Sequence, residues 1–125
     1  MQFVKREINF DNDILLIDKP VDWTSHDVVA KVRGEMGRKT KVGHGGTLDP
    51  FATGVLLILI GKAVKRFDEI RTWDKEYVME VKLGETTDTG DPTGKIVKTS
   101  GRVLEVSQNE VERVLQSFVP GYEQT

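Results

Sequence analysis

No cysteine occurs in the chain, which excludes disulfides, thiolate metal sites and cysteine nucleophiles together. Long apolar runs are missing as well. The longest is VLLILI, residues 55–60, far short of the roughly 20 residues that a membrane-spanning helix needs. The opening MQFVKREINF has none of the apolar stretch of a secretory signal, so the expectation is a cytoplasmic chain with no membrane partner. Glycine and proline, at 12 and 4 residues, are too sparse for a disordered chain. Two histidines and scattered carboxylates form no recognisable ligand set, so no metal site is expected. What is present, 125 residues with 38% hydrophobic side chains, suits one domain able to bury a core.

Net charge is only −2, yet the charge is unevenly spread. Residues 31–66 carry Lys31, Arg33, Arg38, Lys39, Lys41, Lys62, Lys65 and Arg66 against only Glu35 and Asp49. Acidic side chains outnumber basic ones on either side of this segment. Such a patch suits a phosphate-rich ligand, and it equally suits a solvated helix face and loop.

Periodicity predicts a mixed α and β chain. ILLI within 13–18 reads as a short buried strand closed by Lys19-Pro20 and a turn. Thr24 and Asp27 have capping-box spacing, and Val28, Val29, Val32 and Met36 then share one face, predicting a helix over about 25–36. Residues 37–46 read as a loop, 55–60 as a strand covered on both faces, and 62–72 as a helix with Val64, Phe67 and Ile70 inward. Residues 76–83 alternate cleanly, with Tyr77, Met79, Val81 and Leu83 on one side, and predict a strand. A polar turn-rich loop follows over 84–94, then a returning strand over 95–99. Ser107 and Glu110 form a second capping box before Val111, Val114, Leu115 and Phe118 at helical spacing.

Chemistry concentrates in GHGGTLDPFATG, residues 43–54. It is neither a Walker loop, which needs Gly-Lys-Ser/Thr, nor a dinucleotide loop, which needs a preceding strand and a following helix. DTGDPTG, residues 88–94, has the wrong spacing for a calcium loop. A two-carboxylate hydrolase needs a second acid near Asp49, and sequence does not place Asp18 or Asp68 there. What stands is one aspartate in a glycine-rich turn, with His44 five residues earlier. The glycines would let a ligand backbone approach closely and Pro50 would stiffen the exit. Asp49 reads either as a nucleophile or base, or as a turn carboxylate capping its own backbone.

The stretch GHGGTLDPFATGVL closely resembles the catalytic motif of the TruB family of tRNA pseudouridine synthases. LLIDKPVDWTSHDVV (15–29), GKAVKRF (61–67), DKEYVMEVKLGETTDTGDPTG (74–94) and SFVPGYEQT (117–125) resemble further segments of the family in the same order. The resemblance implies an α+β fold, a mixed, largely antiparallel sheet with flanking helices, incomplete in this chain. It implies that a T-loop uridine of tRNA is flipped out and isomerised to pseudouridine, with no cofactor and no metal. Asp49 would be the catalytic aspartate, Tyr77 the tyrosine stacked on the target base, and His44 the histidine that contacts the RNA. Lys19, Arg38, Lys39, Lys41 and Lys65 would hold RNA phosphates, which position the T-arm without reading its sequence.

The family also supplies an arginine beside the aspartate and a second base-contacting tyrosine, both on later strands, and neither lies in these 125 residues. The chain is therefore expected to be an N-terminal portion of the catalytic domain, without the remaining strands and the C-terminal RNA-binding extension. Alone it would be inactive; a separate chain would be one source of the missing half. The alternatives are a guide-RNA-dependent relative and an RNA-binding module without catalysis.

Overall fold

A computed structural model describes residues 7–37, 39–119 and 121. The chain forms two compact units, Met1–Tyr77 and Val78–Thr125.

In the first unit, strand β1 (Asn12–Lys19) leads through a turn to helix α1 (Ser25–Met36). Strands β2 (Val42–His44) and β3 (Gly54–Gly61) follow, then a 3-10 segment (Lys62–Arg66) and a single turn of helix α2 (Phe67–Ile70). The sheet order is β1-β3-β2, antiparallel throughout, with β3 central. Strand alternation sends Leu15 and Ile17 of β1 to the same face as Leu56, Ile58 and Ile60 of β3, where Val28, Val29 and Val32 of α1 cover them. On the opposite face Leu59 packs with Ala63 and Ile70. β3 is covered on both faces where the continuous apolar run predicts it, except that Val55 is 68% exposed.

Helix α1 starts as its capping box predicts. The Thr24 hydroxyl and backbone N–H both donate to the Asp27 carboxylate, at 2.6 and 2.8 Å, and the Asp27 N–H donates back to the Thr24 hydroxyl. Two expectations are corrected here. Residues 37–46 are not all loop, because Val42–His44 pairs with Ile60–Ile58 and becomes a strand. Residues 62–72 are not one helix: the chain tightens first into a 3-10 segment, and Phe67 is left 40% exposed.

In the second unit β4 (Glu85–Thr87) pairs antiparallel with β5 (Ile96–Thr99), with an irregularity between Thr86 and Thr87. A 3-10 segment (Gly101–Glu105) and α3 (Gln108–Gln116) follow, α3 opening on the predicted Ser107–Glu110 box. The alternating stretch 76–83 forms no strand, which corrects the expectation. Both of its faces are solvent-exposed, from Leu83 at 47% on one to Val78 at 97% on the other. Alternation prepares a strand, but its N–H and C=O groups form a ladder only against a partner, and β5 pairs with β4 instead. The fold is thus mixed α and β, with antiparallel sheets and flanking helices.

The bonds from Thr24 hold the Asp27 carboxyl below its ordinary value of 3.8, with smaller contributions from the charges of His26 and Lys19. A carboxylate whose folded value is lowered stabilises the fold above its ordinary value and loses that effect as pH falls through the lowered one. Asp27→Asn should therefore be less stable than the parent near neutral pH, with the gap closing on acidification below 3.8. Thermal unfolding of both proteins across that range checks this, and a gap that stays constant would count against the linkage.

Candidate functional site

The loop from His44 to Ala52 is held from two directions. At its start, β2 pairs His44 with Ile58, and the Gly45 N–H extends that pairing with a 2.8 Å bond to the Leu57 carbonyl. In its middle, the Ser25 hydroxyl takes both backbone groups of Leu48, accepting from the N–H at 3.0 Å and donating to the carbonyl at 3.2 Å. Beyond Asp49, the Pro50 carbonyl accepts from the Asp22 N–H at 2.8 Å and from Lys19 Nζ at 3.2 Å. Asp22 has φ of 65°, a left-handed conformation that Asp adopts more readily than most residues, and its N–H faces the loop from there. Asp49 lies between the Leu48 and Pro50 anchors, exposed. Among the described residues its carboxylate has no hydrogen bond or ion pair; only its backbone carbonyl is used, by the Ala52 N–H at 3.0 Å. The alternative of a carboxylate capping its own turn is thereby set aside.

Lys19 is corrected. It was expected at the surface, contacting phosphate, but it is 0% exposed and gives its ammonium to three carbonyls: Trp23 at 2.6 Å, Pro20 at 3.0 Å and Pro50 at 3.2 Å. An ammonium has three donors and no acceptor, so all of them are satisfied inside the protein. The signal was available in the strand period, since Lys19 falls on the inward face of β1 two residues after Ile17 and four after Leu15. Asp22, Ser25 and His26 were missed altogether, because nothing in their spacing tells that they meet a loop more than 15 residues away.

The glycines divide into different tasks. A Cβ on Gly45 would sit 2.9 Å from Ile70 Cγ2 and 3.1 Å from Leu57 Cβ, so this residue is small because the protein itself packs against it. Gly46 has open space: a Cβ there meets nothing within 4 Å. The space that a ligand would need is open at Gly46 and filled by the protein itself at Gly45. Alongside, the His44 ring stands 5.2 Å from the His26 ring, edge to face at 77°.

The basic segment also divides. Lys31 pairs with Glu35 and Arg66 with Glu69, each at 2.7 Å, while Arg33 donates to the Val42 carbonyl. Lys39, Lys41, Lys62 and Lys65, exposed and without ion-pair partners among the described residues, surround a cleft of about 490 Å³ beside Phe10 and Gly61. This cleft lies at the Gly61 end of β3, whereas the Asp49 loop enters at the Gly54 end. Seven strand steps separate those ends, about 24 Å. Arg38 lies outside the described residues. Tyr77, expected to stack on a base, closes the first unit in an exposed position outside any strand. Among the described residues no cluster of three or more His, Asp or Glu could hold a metal ion, and no helix is long and apolar enough to cross a membrane.

Comparison with known families gives a match over residues 33–125 to the TruB family pseudouridylate synthase (N terminal domain). The chain belongs to this family. It is 44% identical over 112 residues to tRNA pseudouridine synthase B of Parabacteroides distasonis, covering 86% of this chain and 47% of that protein. To the protein of the same name from Caldicellulosiruptor saccharolyticus it is 50% identical over 107 residues, covering 86% and 36%. To that from Phocaeicola vulgatus it is 42% identical over 123 residues, covering 94% and 52%. The chain spans between about a third and a half of the length of the curated relatives it matches. The TruB match begins at Arg33, so it takes in the Asp49 loop but not the segment Lys19–His26 that holds it.

Two substitutions separate the packing role from the open one. Gly45→Ala should destabilise by about 1–3 kcal/mol through overpacking against Ile70 and Leu57, whereas Gly46→Ala should be neutral or slightly stabilising. Denaturant unfolding of the pair checks the order. Lys19→Met, which takes the ammonium donor from the Pro20 and Trp23 carbonyls and leaves Pro50 with the Asp22 N–H alone, should cost about 1–3 kcal/mol or more. A Lys19→Met protein as stable as the parent would show that the carbonyls find other partners.

Proposed function

We propose that the chain is the N-terminal part of a tRNA pseudouridine synthase and presents Asp49 to a flipped-out uridine of the T-arm. The observation that carries this reading is the state of Asp49. Its carboxylate is exposed and, among the described residues, free of side-chain partners, in a loop where both neighbouring residues are anchored. A fold that spends four hydrogen bonds on Leu48 and Pro50 fixes the backbone around that carboxylate while leaving the side chain to a ligand.

In this reading a uridine leaves its stack, at a cost of about a few kcal/mol, and Asp49 acts as the nucleophile, through a bond to the uridine that is broken again before the product leaves. The N1–C1′ bond breaks, the uracil turns, C5 bonds to C1′, and the C5 proton is lost while N1 takes one up. His44 contacts the RNA beside the extruded base. Tyr77 stacks on that base, which is worth roughly 1–3 kcal/mol. Lys39, Lys41 and Lys65, joined by Lys62, hold phosphates about 24 Å from the Gly54 end of β3, as a contact to the stem rather than to the reacting nucleotide. The curated relatives are named as tRNA enzymes, which favours tRNA over a guide-RNA complex.

The 125 residues by themselves are best read as an RNA-binding part that does not turn over. Among the described residues no cation stands hydrogen-bonded to Asp49 to stabilise its charge once a substrate excludes water. The missing partner would come from the part of the relatives that this chain does not cover.

The reading is tested with unmodified tRNA labelled at uridine C5. Residues 1–125 should bind the tRNA without releasing label, and the longer protein containing them should release it. Asp49→Ala in the longer protein should abolish release with binding changed less than about twofold, since the loop anchors remain. Release by Asp49→Ala at the parental rate would end the assignment. Replacing Lys39, Lys41 and Lys65 together by Ala should weaken binding whatever the sequence and flatten the salt dependence by up to about three phosphate contacts.

A further inference from the structure

A histidine ring is ordinarily turned by the hydrogen bond that one of its nitrogens makes. His44 lacks that device. Its Nδ1 is enclosed by protein and has no hydrogen-bond partner. Pairing with Ile58 fixes the His44 backbone, but the terminal torsion of a histidine is broad and close to two-fold, so the backbone does not decide how the ring lies. A ring contact bears on it as well: His26 stands 5.2 Å away between centroids, edge to face at 77°. This is the geometry that aromatic rings prefer, because the electron-poor edge of one meets the electron-rich face of the other.

His26 is well placed for that task. It is the second residue of α1, between Ser25, whose hydroxyl grips Leu48, and Asp27, whose carboxylate closes the capping box. Its backbone is therefore fixed relative to the loop that carries His44. With Nδ1 enclosed, Nε2 is the His44 nitrogen left to meet a ligand. We propose that His26 is a positioning residue: its ring holds the His44 imidazole in the orientation in which Nε2 faces the RNA. The proposal rests on the reading of His44 as an RNA contact, and the test separates the two.

Ring orientation is read first, without RNA. The chain has only two histidines, so NOEs from the His44 ring protons to neighbouring methyl groups are simple to assign. The NOE pattern should persist in His26→Phe, which keeps an aromatic ring, and should average out in His26→Ala. An unchanged pattern in His26→Ala overturns the proposal whatever the RNA does. Binding of a T-arm hairpin RNA is read second. His26→Ala should weaken it about two- to tenfold, the size that an edge-to-face pair supports, and His26→Phe should restore it. In a His44→Ala background, His26→Ala should add nothing. Additive losses would make His26 an RNA contact in its own right, and an equal loss in His26→Phe would make its nitrogens the active feature; either result overturns the proposal. If His44→Ala binds the hairpin as the parent does, the assignment of His44 to RNA fails and the proposed purpose of the orientation fails with it, while the NOE result still decides whether His26 sets the ring.

Discussion

Lys19 ends β1 with its ammonium fully enclosed and its three donors turned to the carbonyls of Pro20, Trp23 and Pro50. Enclosing a charge costs several kcal/mol unless polar groups take the place of water. Here three carbonyl dipoles do so, and their positions tie together parts of the chain that share no helix or strand. Pro20 and Trp23 belong to the turn that leads into α1, and Pro50 follows Asp49. Any other path for either turn would leave the ammonium short of acceptors. The Ser25 hydroxyl and the Asp22 N–H then bind the same loop from the same turn, so that Asp49 is fixed by contacts made to its neighbours.

This arrangement separates support from chemistry. Lys19 and Ser25, which hold the loop, are buried and internally bonded, whereas among the described residues the Asp49 carboxylate and the lysines proposed to meet phosphate have no ion-pair partner. Among the described residues the Asp49 carboxylate is unpaired at one end of β3, and Lys39, Lys41, Lys62 and Lys65 are unpaired around the cleft that they share with Asp11 at the other. The basic residues that seemed to form one patch in the sequence therefore differ in availability. Lys31, Arg33 and Arg66 are engaged within the fold, and Lys19 is part of its scaffold.

The second unit shows local order with little burial. Its capping box forms and its two short strands pair, yet no described residue of α3 is buried, and Ile96 and Val97 of β5 are 56% and 63% exposed. A cap is a bond between residues three apart, so it forms wherever its own sequence allows. Burial needs another layer, and a helix or sheet becomes a core element only when its apolar face is covered. The stretch 76–83 makes the same point: its alternation is plain, and among the described residues no strand pairs with it.

The elements legible in the sequence follow from short-range physics. The strand at ILLI, the start of α1 at Thr24, the buried run in β3 and the cap at Ser107 are all set by residues within a few positions of one another, and each is found where its pattern lies. The wording of the motif likewise resembled the TruB family, whose N-terminal domain matches residues 33–125. Tertiary structure alone decided which side chains serve the loop. Ser25 meets Leu48 across 23 positions and Lys19 meets Pro50 across 31, and both encounters follow from the register of β1 on β3 and from how α1 lies over the sheet. The same packing decided that Gly45 is filled against Ile70 while Gly46 is left open. A lysine, a serine and two adjacent glycines carry no mark of these roles in the sequence, because each role is defined by what the folded chain brings opposite.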